Sequence, residues 1–462
     1  MLSSRRAATA AVSVSLALTG ITAAHADSTT TLYVSGQSSA CTDSGTGTQA
    51  APYCTIQAAA DAAVAGDTVE IANGTYAGQV DIKSVGTAAA PIVFQTQGSV
   101  SITDATGQTG PSLSFDGAAY VSFEGQLLNR GFTATGGVSV NGSSSITLNG
   151  LRALPTADGV HITGTSSSVT VTRSVVRDVL IDSGSSGDVV STDFIAGVGT
   201  YGGISVTGAS NTEITSNNFY YTPVGVSTIN VSGSTGTSIE NNIVNEVSAT
   251  NTAPAVLVDS ASAASTTSNY NVVYPGAAQS AYSWAGTVYT TAAALDAATG
   301  QGAHDLNTSP ETTTYATFAP TAPQFNSANS SAPGMLATDF FGDACTGDPV
   351  VAVTGTGTPA YCDRGAVQEK HTPTVNASAT AQSTRSVELS SYLSQVTTFG
   401  IYSSSDQTVA RPDITYTINW GDGQSQTVSA STTAATTFTS HTYATPGTYS
   451  ITDTANLTTG GT

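Results

Sequence analysis

Short runs of alternating apolar and polar residues recur along the first three-quarters of the chain. Residues 137–142 read Gly-Val-Ser-Val-Asn-Gly, 159–164 Gly-Val-His-Ile-Thr-Gly, and 203–208 Gly-Ile-Ser-Val-Thr-Gly. Alternation with a period of two, closed by glycine, predicts short strands with one buried side. Each run leads through a polar corner to another short strand. The apolar residue after the corner recurs at Leu127, Leu151, Val175, Phe194, Phe219, Ile243 and Val272. A unit this short cannot enclose a core, so it predicts one rung of a stacked solenoid. Val138 and Val140, Val160 and Ile162, and Ile204 and Val206 then point inward. Rungs about 4.8 Å apart make each sheet parallel and the core a set of Val and Ile columns. At the corners, Asn149, Asn217, Asn218, Asn241, Asn242 and Asn269 predict an amide ladder from coil to coil.

Outside the repeats the pattern changes. Residues 55–64 place Ile56, Ala59, Ala60, Ala63 and Val64 on one helical face, with Gly66 placed to end the helix. An open solenoid end exposes apolar side chains and unpaired strand groups, and this helix is predicted to cap it. Residues 369–374 read as a polar linker. Beyond it, longer alternating runs such as Ile414–Trp420 predict a separate all-β unit.

At the N-terminus, Arg5 and Arg6, an apolar run to about Ala24, and Ala24-His25-Ala26 predict a secretory signal peptide over 1–26. No other apolar run is long enough to span a bilayer. The expected destination is therefore extracellular, with no membrane span and a monomeric state. The net charge is -20, or -22 once Arg5 and Arg6 are removed. So few cations exclude a phosphate-backbone partner, and no nucleic-acid role is expected. The four cysteines fall into two local pairs, Cys41/Cys54 and Cys345/Cys362, which in an exported protein predict two disulfides.

Several motifs carry a family resemblance. In order, Tyr33-Val-Ser35, Cys54-Thr-Ile-Gln-Ala-Ala59, Gly66-Asp-Thr-Val69, Gly74-Thr-Tyr76 and Ala90-Pro91-Ile92 resemble the opening of secreted right-handed parallel β-helix proteins of the pectate-lyase-like fold. Residues 282–310, with Gly300-Gln301 and His304, resemble the closing segment of that family. Cys362-Asp-Arg-Gly-Ala366 resembles its terminal strand, with Arg364 in place of an apolar residue. Further on, Trp420-Gly-Asp-Gly423, His441-Thr-Tyr443 and Pro446-Gly-Thr-Tyr449 resemble the PKD module, a small immunoglobulin-like β-sandwich. In it Gly421–Gly423 would form a hairpin turn, Trp420, Tyr443 and Tyr449 the core, and Asp422 and His441 turn and packing positions. The expected fold class is thus all-β. A signal peptide (1–26) precedes a right-handed parallel β-helix with an N-terminal capping helix (27–369), and a linker with a PKD-like sandwich follows (370–462).

The resemblance implies a polysaccharide or cell-surface glycan as partner, held in a groove along one sheet. If the Gly-Val-x-Val-x-Gly strands form that sheet, its outward column includes Ser139, His161, Leu180, Ser205 and Leu257. The neighbouring loops carry Arg152, Asp158, Arg177, Asp178, Tyr201, Tyr220, Tyr221 and Glu246. A β-eliminating lyase needs a base for the proton beside a uronate carboxyl, and commonly calcium to acidify it. Lys83 and Lys370 are the only lysines of the mature chain, so a lysine base in the central coils is excluded; Arg152, Arg173 or Arg177 would have to serve. A glycoside hydrolase needs two carboxylates. Asp158, Asp178, Asp182, Asp188 and Asp193 cluster here in sequence, although aspartate also belongs at ordinary turns. His161, mid-strand between the Asp158 and Asp178 loops, is the leading candidate for a general base. The expected catalytic set is therefore His161, Asp158, Asp178 and Arg177. No cofactor is firmly implied, and calcium stays open. The competing reading is a non-catalytic extracellular surface or adhesion scaffold, which the scarcity of lysine favours.

Overall fold

The computed structural model describes residues 29–104, 110–125, 131–155, 158–196, 202–220, 224–245, 250–276, 279–310, 322–345 and 351–368. It also describes strands 312–314 and 317–318 and, further on, 374–378, 384–391, 396–402, 414–429, 436–442 and 447–457. Residues 1–26, expected as a signal peptide, residues 369–373 of the expected linker, and Leu127, Tyr201, Tyr221, Glu246 and Tyr443 lie outside the described residues.

Each full coil contributes three short strands, one to each of three parallel faces. The first face stacks 80–82, 113–116, 138–141, 160–163, 178–181, 203–207, 229–232, 256–258 and 282–284 in that order, and 287–289 adds on antiparallel. The second and third faces continue around the corners, as with 167–172 and 175–176 in one coil and 189–191 and 194–196 in the next. The chain is an all-β parallel β-helix solenoid. Val138, Val140, Val160, Ile162, Val179, Ile181, Ile204 and Val206 all point inward and are buried. Each such side chain contributes roughly 1.5–3 kcal/mol. Near the N-terminal end aromatic rings fill the tube, with Phe94 stacked on Phe123 at 4.7 Å. Gly203 opens its strand at φ 86°, and a Cβ there would lie 2.0 Å from the Thr228 carbonyl of the next coil, so glycine is required.

The predicted cap is present as helix Ile56–Ala62, whose N-cap Thr55 accepts the Ala58 N–H. It ends at Ala63 in extended conformation rather than at Gly66, and Val64 is exposed. At the other end, hairpin 282–289 and helix Ala292–Thr299 close the tube, with Gly300 as C-cap at φ 73°.

The asparagine ladder runs through one corner only. The Asn217 N–H donates to Asn242 Oδ1 and the Asn242 N–H to Asn271 Oδ1, each at 3.0 Å, while their Nδ2 groups donate to the carbonyls of Val190 and Ile214. Asp193 continues the ladder on one side, accepting the Ser174 N–H, and Asp305 on the other, accepting that of Asn271. Asn218, Asn241, Asn149 and Asn269 are not rungs. Asn149 binds Glu124, and Asn269 accepts the His304 N–H. The column of post-corner apolar residues also needs correction. Leu151 and Phe219 face the core, whereas Phe194, Ile243 and Val272 face outward, because Phe194 registers with Asn218 and Asn218 with Ile243.

What covers those outward residues is a strap formed by 322–345 and 351–368. Its Phe325, Phe340, Ala366 and Val367 pack on Phe194, Ile243 and Val272. Ala366 N–H donates to Asn218 Oδ1, and Asn241 exchanges hydrogen bonds with Asn329. The 362–366 segment is therefore not a terminal strand; it is held irregularly by these bonds. Burial pushes Arg364 down to about 10, and its guanidinium donates to the carbonyls of Ser327 and Asn271. Both disulfides, Cys41–Cys54 and Cys345–Cys362, are formed.

Residues 374–457 contain a three-stranded and a four-stranded sheet. Strands 414–419 and 425–429 form a hairpin around Gly421–Gly423. Trp420 is buried and stacks on His441 at 4.9 Å, and His441 Nε2 lies 2.7 Å from Asp422 Oδ2. Tyr449 is only partly buried.

Candidate functional site: the first face

The strap occupies the third face and borders the second, where the Ser191 and Thr215 hydroxyls donate to the carbonyls of Gly334 and Pro333. The first face carries no such cover among the described residues. Its outward column runs Asp81, Ser114, Ser139, His161, Leu180, Ser205, Asn230, Leu257, Ser283, each registered on the next. All nine are half-buried, as a corrugated, solvent-facing strip requires.

His161 is the one imidazole of the column. Val160 and Ile162 anchor its strand in the core, so alternation drives the ring outward. Its Nε2 lies 2.7 Å from Asp182 Oδ2, and its Nδ1 lies 3.8 Å from Asp158 Oδ2. Side-chain exposures are 32% for His161, 39% for Asp158 and 45% for Asp182, so all three reach solvent. Asp158 comes from the turn before the His161 strand, and Asp182 from the turn after the strand of the following coil. With Nε2–H donating to Asp182, the Nδ1 lone pair faces the space beside Asp158.

Two expected members of the site are elsewhere. Asp178 is fully buried, with Oδ1 accepting the Gly159 N–H at 2.5 Å. Burial pushes its carboxyl up, opposed by the Gly159 hydrogen bond and the Arg177 charge. Arg177 is likewise fully buried, donating from Nη1 to the Pro155 carbonyl at 3.0 Å with Nε 3.7 Å from Asp178 Oδ2. These two residues turn the corner into the strand and support the Asp158–Gly159 turn from below; neither reaches the face. Arg152 projects from the third face, Tyr220 lies on that face, and Arg173 is tied to the strap through Thr338 and Asp339. Asp182, not Asp178, is the carboxylate that meets His161. Period two carried forward from Leu180 places Asp182 outward, which is the signal that could have singled it out. Asn230 also belongs to the column, by the same alternation within Ile229–Val231.

Calcium does not fit this arrangement. Asp158 and Asp182 approach opposite ring nitrogens, and among the described residues no group of three or more His, Cys, Asp or Glu side chains is placed to hold a metal ion.

No protein-family model and no curated protein matches the chain. Solved structures similar to it include a pectate lyase, Pel9A, at 13% identity and TM-score 0.37, covering 74% of this chain and 98% of that one. An alginate lyase from Paenibacillus sp. str. FPU-7 matches at 18% identity and TM-score 0.30, covering 49% of this chain and 94% of that one. A rhamnogalacturonan lyase matches at 17% identity and TM-score 0.28, covering 55% and 60%. Likenesses this distant carry no argument about chemistry. The fold rests on the strand pairings, and any activity must be argued from the first face.

Proposed function

We propose that the chain is an exported, polysaccharide-acting β-helix protein whose glycan lies along the first face. His161, oriented by Asp182, serves as its general base, and 370–462 is a PKD-like accessory unit. The observation that carries this reading is the 2.7 Å His161–Asp182 pair on the first face, which no described residue covers. A carboxylate on one ring nitrogen fixes the tautomer and stabilises the imidazolium that forms when the other nitrogen takes a proton. Here that other nitrogen faces Asp158, whose Oδ2 lies 3.8 Å away. Sugar hydroxyls find matching groups on Ser139, Ser205 and Asn230, while Leu180 and Leu257 offer apolar surface to sugar rings.

A second reading, a non-catalytic glycan-binding scaffold, is favoured by the remainder of the column, which is serine, asparagine and leucine rather than a row of acids. Incubation of the mature protein with a glycan panel, scored for unsaturated products by ultraviolet absorbance and for new reducing ends, separates the two. The catalytic reading expects product from wild type and a loss of roughly 10²–10⁴-fold in His161→Ala, the usual contribution of a positioned base. Undiminished turnover in that variant would remove His161 from the mechanism. Binding without product from any glycan would leave the scaffold reading in its place.

A further inference from the structure

We propose that the glycan held by the first face is a neutral polysaccharide, not a polyuronate. This specifies the ligand class of the glycan-binding reading and rests on it. The distribution of cations points there. From Asp178 to Asp363 the chain contains no lysine or arginine at all. The cations at either side are committed elsewhere: Arg173 to the strap, Arg177 beneath the Asp158 turn, and Arg364 under the strap on the Asn271 carbonyl. Arg152 faces away on the third face, and Arg130 lies outside the described residues. Lys83, near the N-terminal end of the first face, is paired with Asp81 at 2.5 Å.

Acids, by contrast, line the strip. Asp81 stands in the outward column, Asp116 and Asp259 at the strand ends, and Asp158 and Asp182 around His161. A polyuronate would set a carboxylate from nearly every sugar against this row, and among the described residues only Lys83, at one end and already paired with Asp81, could receive one; like charges brought together without a counter-ion disfavour binding. The groups actually offered are neutral. Ser114, Ser139, Ser205, Asn230 and Ser283 can donate to and accept from hydroxyls, and the Asn230 amide already donates to Ser205 Oγ at 3.2 Å. A neutral glycan also has no proton acidified by an adjacent carboxylate, so β-elimination has nothing to act on.

Affinity electrophoresis of the full mature chain tests this. Native gels contain xylan, glucomannan, polygalacturonate or alginate, each run with calcium and with a chelator at low salt. The expected result is retardation by at least one neutral glycan, at least 10-fold stronger than by either uronate in both arms. Retardation by polygalacturonate or alginate equal to or greater than that by the neutral glycans, in either arm, overturns the proposal while leaving glycan binding intact. Migration unchanged by all four removes the glycan-binding reading together with the proposal. The Ser205→Trp variant serves as the control for face occupancy: its neutral-glycan retardation should vanish, and retention would place the ligand elsewhere.

Discussion

One coil, residues 178–193, buries a carboxyl at each of its three corners, and Asp188 makes the consequence measurable. Asp178, Asp188 and Asp193 accept the N–H groups of Gly159, Val169 and Ser174 from the preceding coil, and all three are fully buried. Asp188 Oδ2 has no hydrogen-bond partner, and burial pushes its carboxyl from 3.8 to about 6. The folded value is raised, so the folded state binds the proton more tightly than the unfolded chain. Its stabilising contribution is therefore full below about pH 4 and is lost as pH rises through about 6. At 1.36 kcal/mol per unit, the loss is on the order of 3 kcal/mol. Asp188→Asn keeps the acceptor and cannot ionise. Urea unfolding of wild type and variant, each at about pH 4 and about pH 7.5, isolates the term. Wild type should lose about 2.5 kcal/mol more than the variant across that interval. Equal pH dependence in the two proteins would refute the assignment of a strained, buried carboxylate to this corner.

Three further outcomes follow from the same geometry. Asp193 occupies the ladder position of Asn217, and burial raises its carboxyl well above the usual range. Asp193→Asn should thus stabilise the fold at neutral pH, its new amide donating to the Val171 carbonyl that registers with Val190, and a lower urea midpoint would contradict it. Gly365 sits at φ 90° with a Cβ position 2.2 Å from Asn218 Oδ1, so Gly365→Ala should loosen the strap and speed limited proteolysis within 322–368 without abolishing the β-sheet circular dichroism signal. Asp182→Asn should keep glycan binding but lower turnover, since the tautomer of His161 is no longer fixed by a carboxylate; undiminished turnover would count against the pair.

The solenoid was legible because one rule governs most of it. Alternation in 160–163 and 203–207 assigns inside and outside correctly along those two strands. The misassignments fall at the corners. Carried back from Leu180, the same alternation sends Asp178 outward, yet the chain is turning there, and its carboxyl is drawn in to satisfy the Gly159 N–H. Arg177 follows it, spending its guanidinium on the Pro155 carbonyl. Leu151, Phe194 and Phe219 merged into one apparent column because coils of unequal length shift the register by a residue, which exchanges core for surface. The strap was hidden for a different reason. Its packing on Phe194 and Ile243 joins residues more than a hundred positions apart, and no local periodicity records such a contact. For the same reason Asn218 and Asn241 resembled ladder residues, although their amides hold the strap.

Both proposals require the glycan to lie on the first face. The most direct measurement compares two bulky substitutions by affinity electrophoresis in the retarding glycan. Ser205→Trp fills the first-face column one coil beyond Leu180, while Thr147→Trp adds the same bulk to the outward side of the second face. Ser205→Trp should migrate as it does in a gel without glycan, and Thr147→Trp should be retarded as wild type is. Retardation lost in Thr147→Trp and kept in Ser205→Trp would contradict that placement.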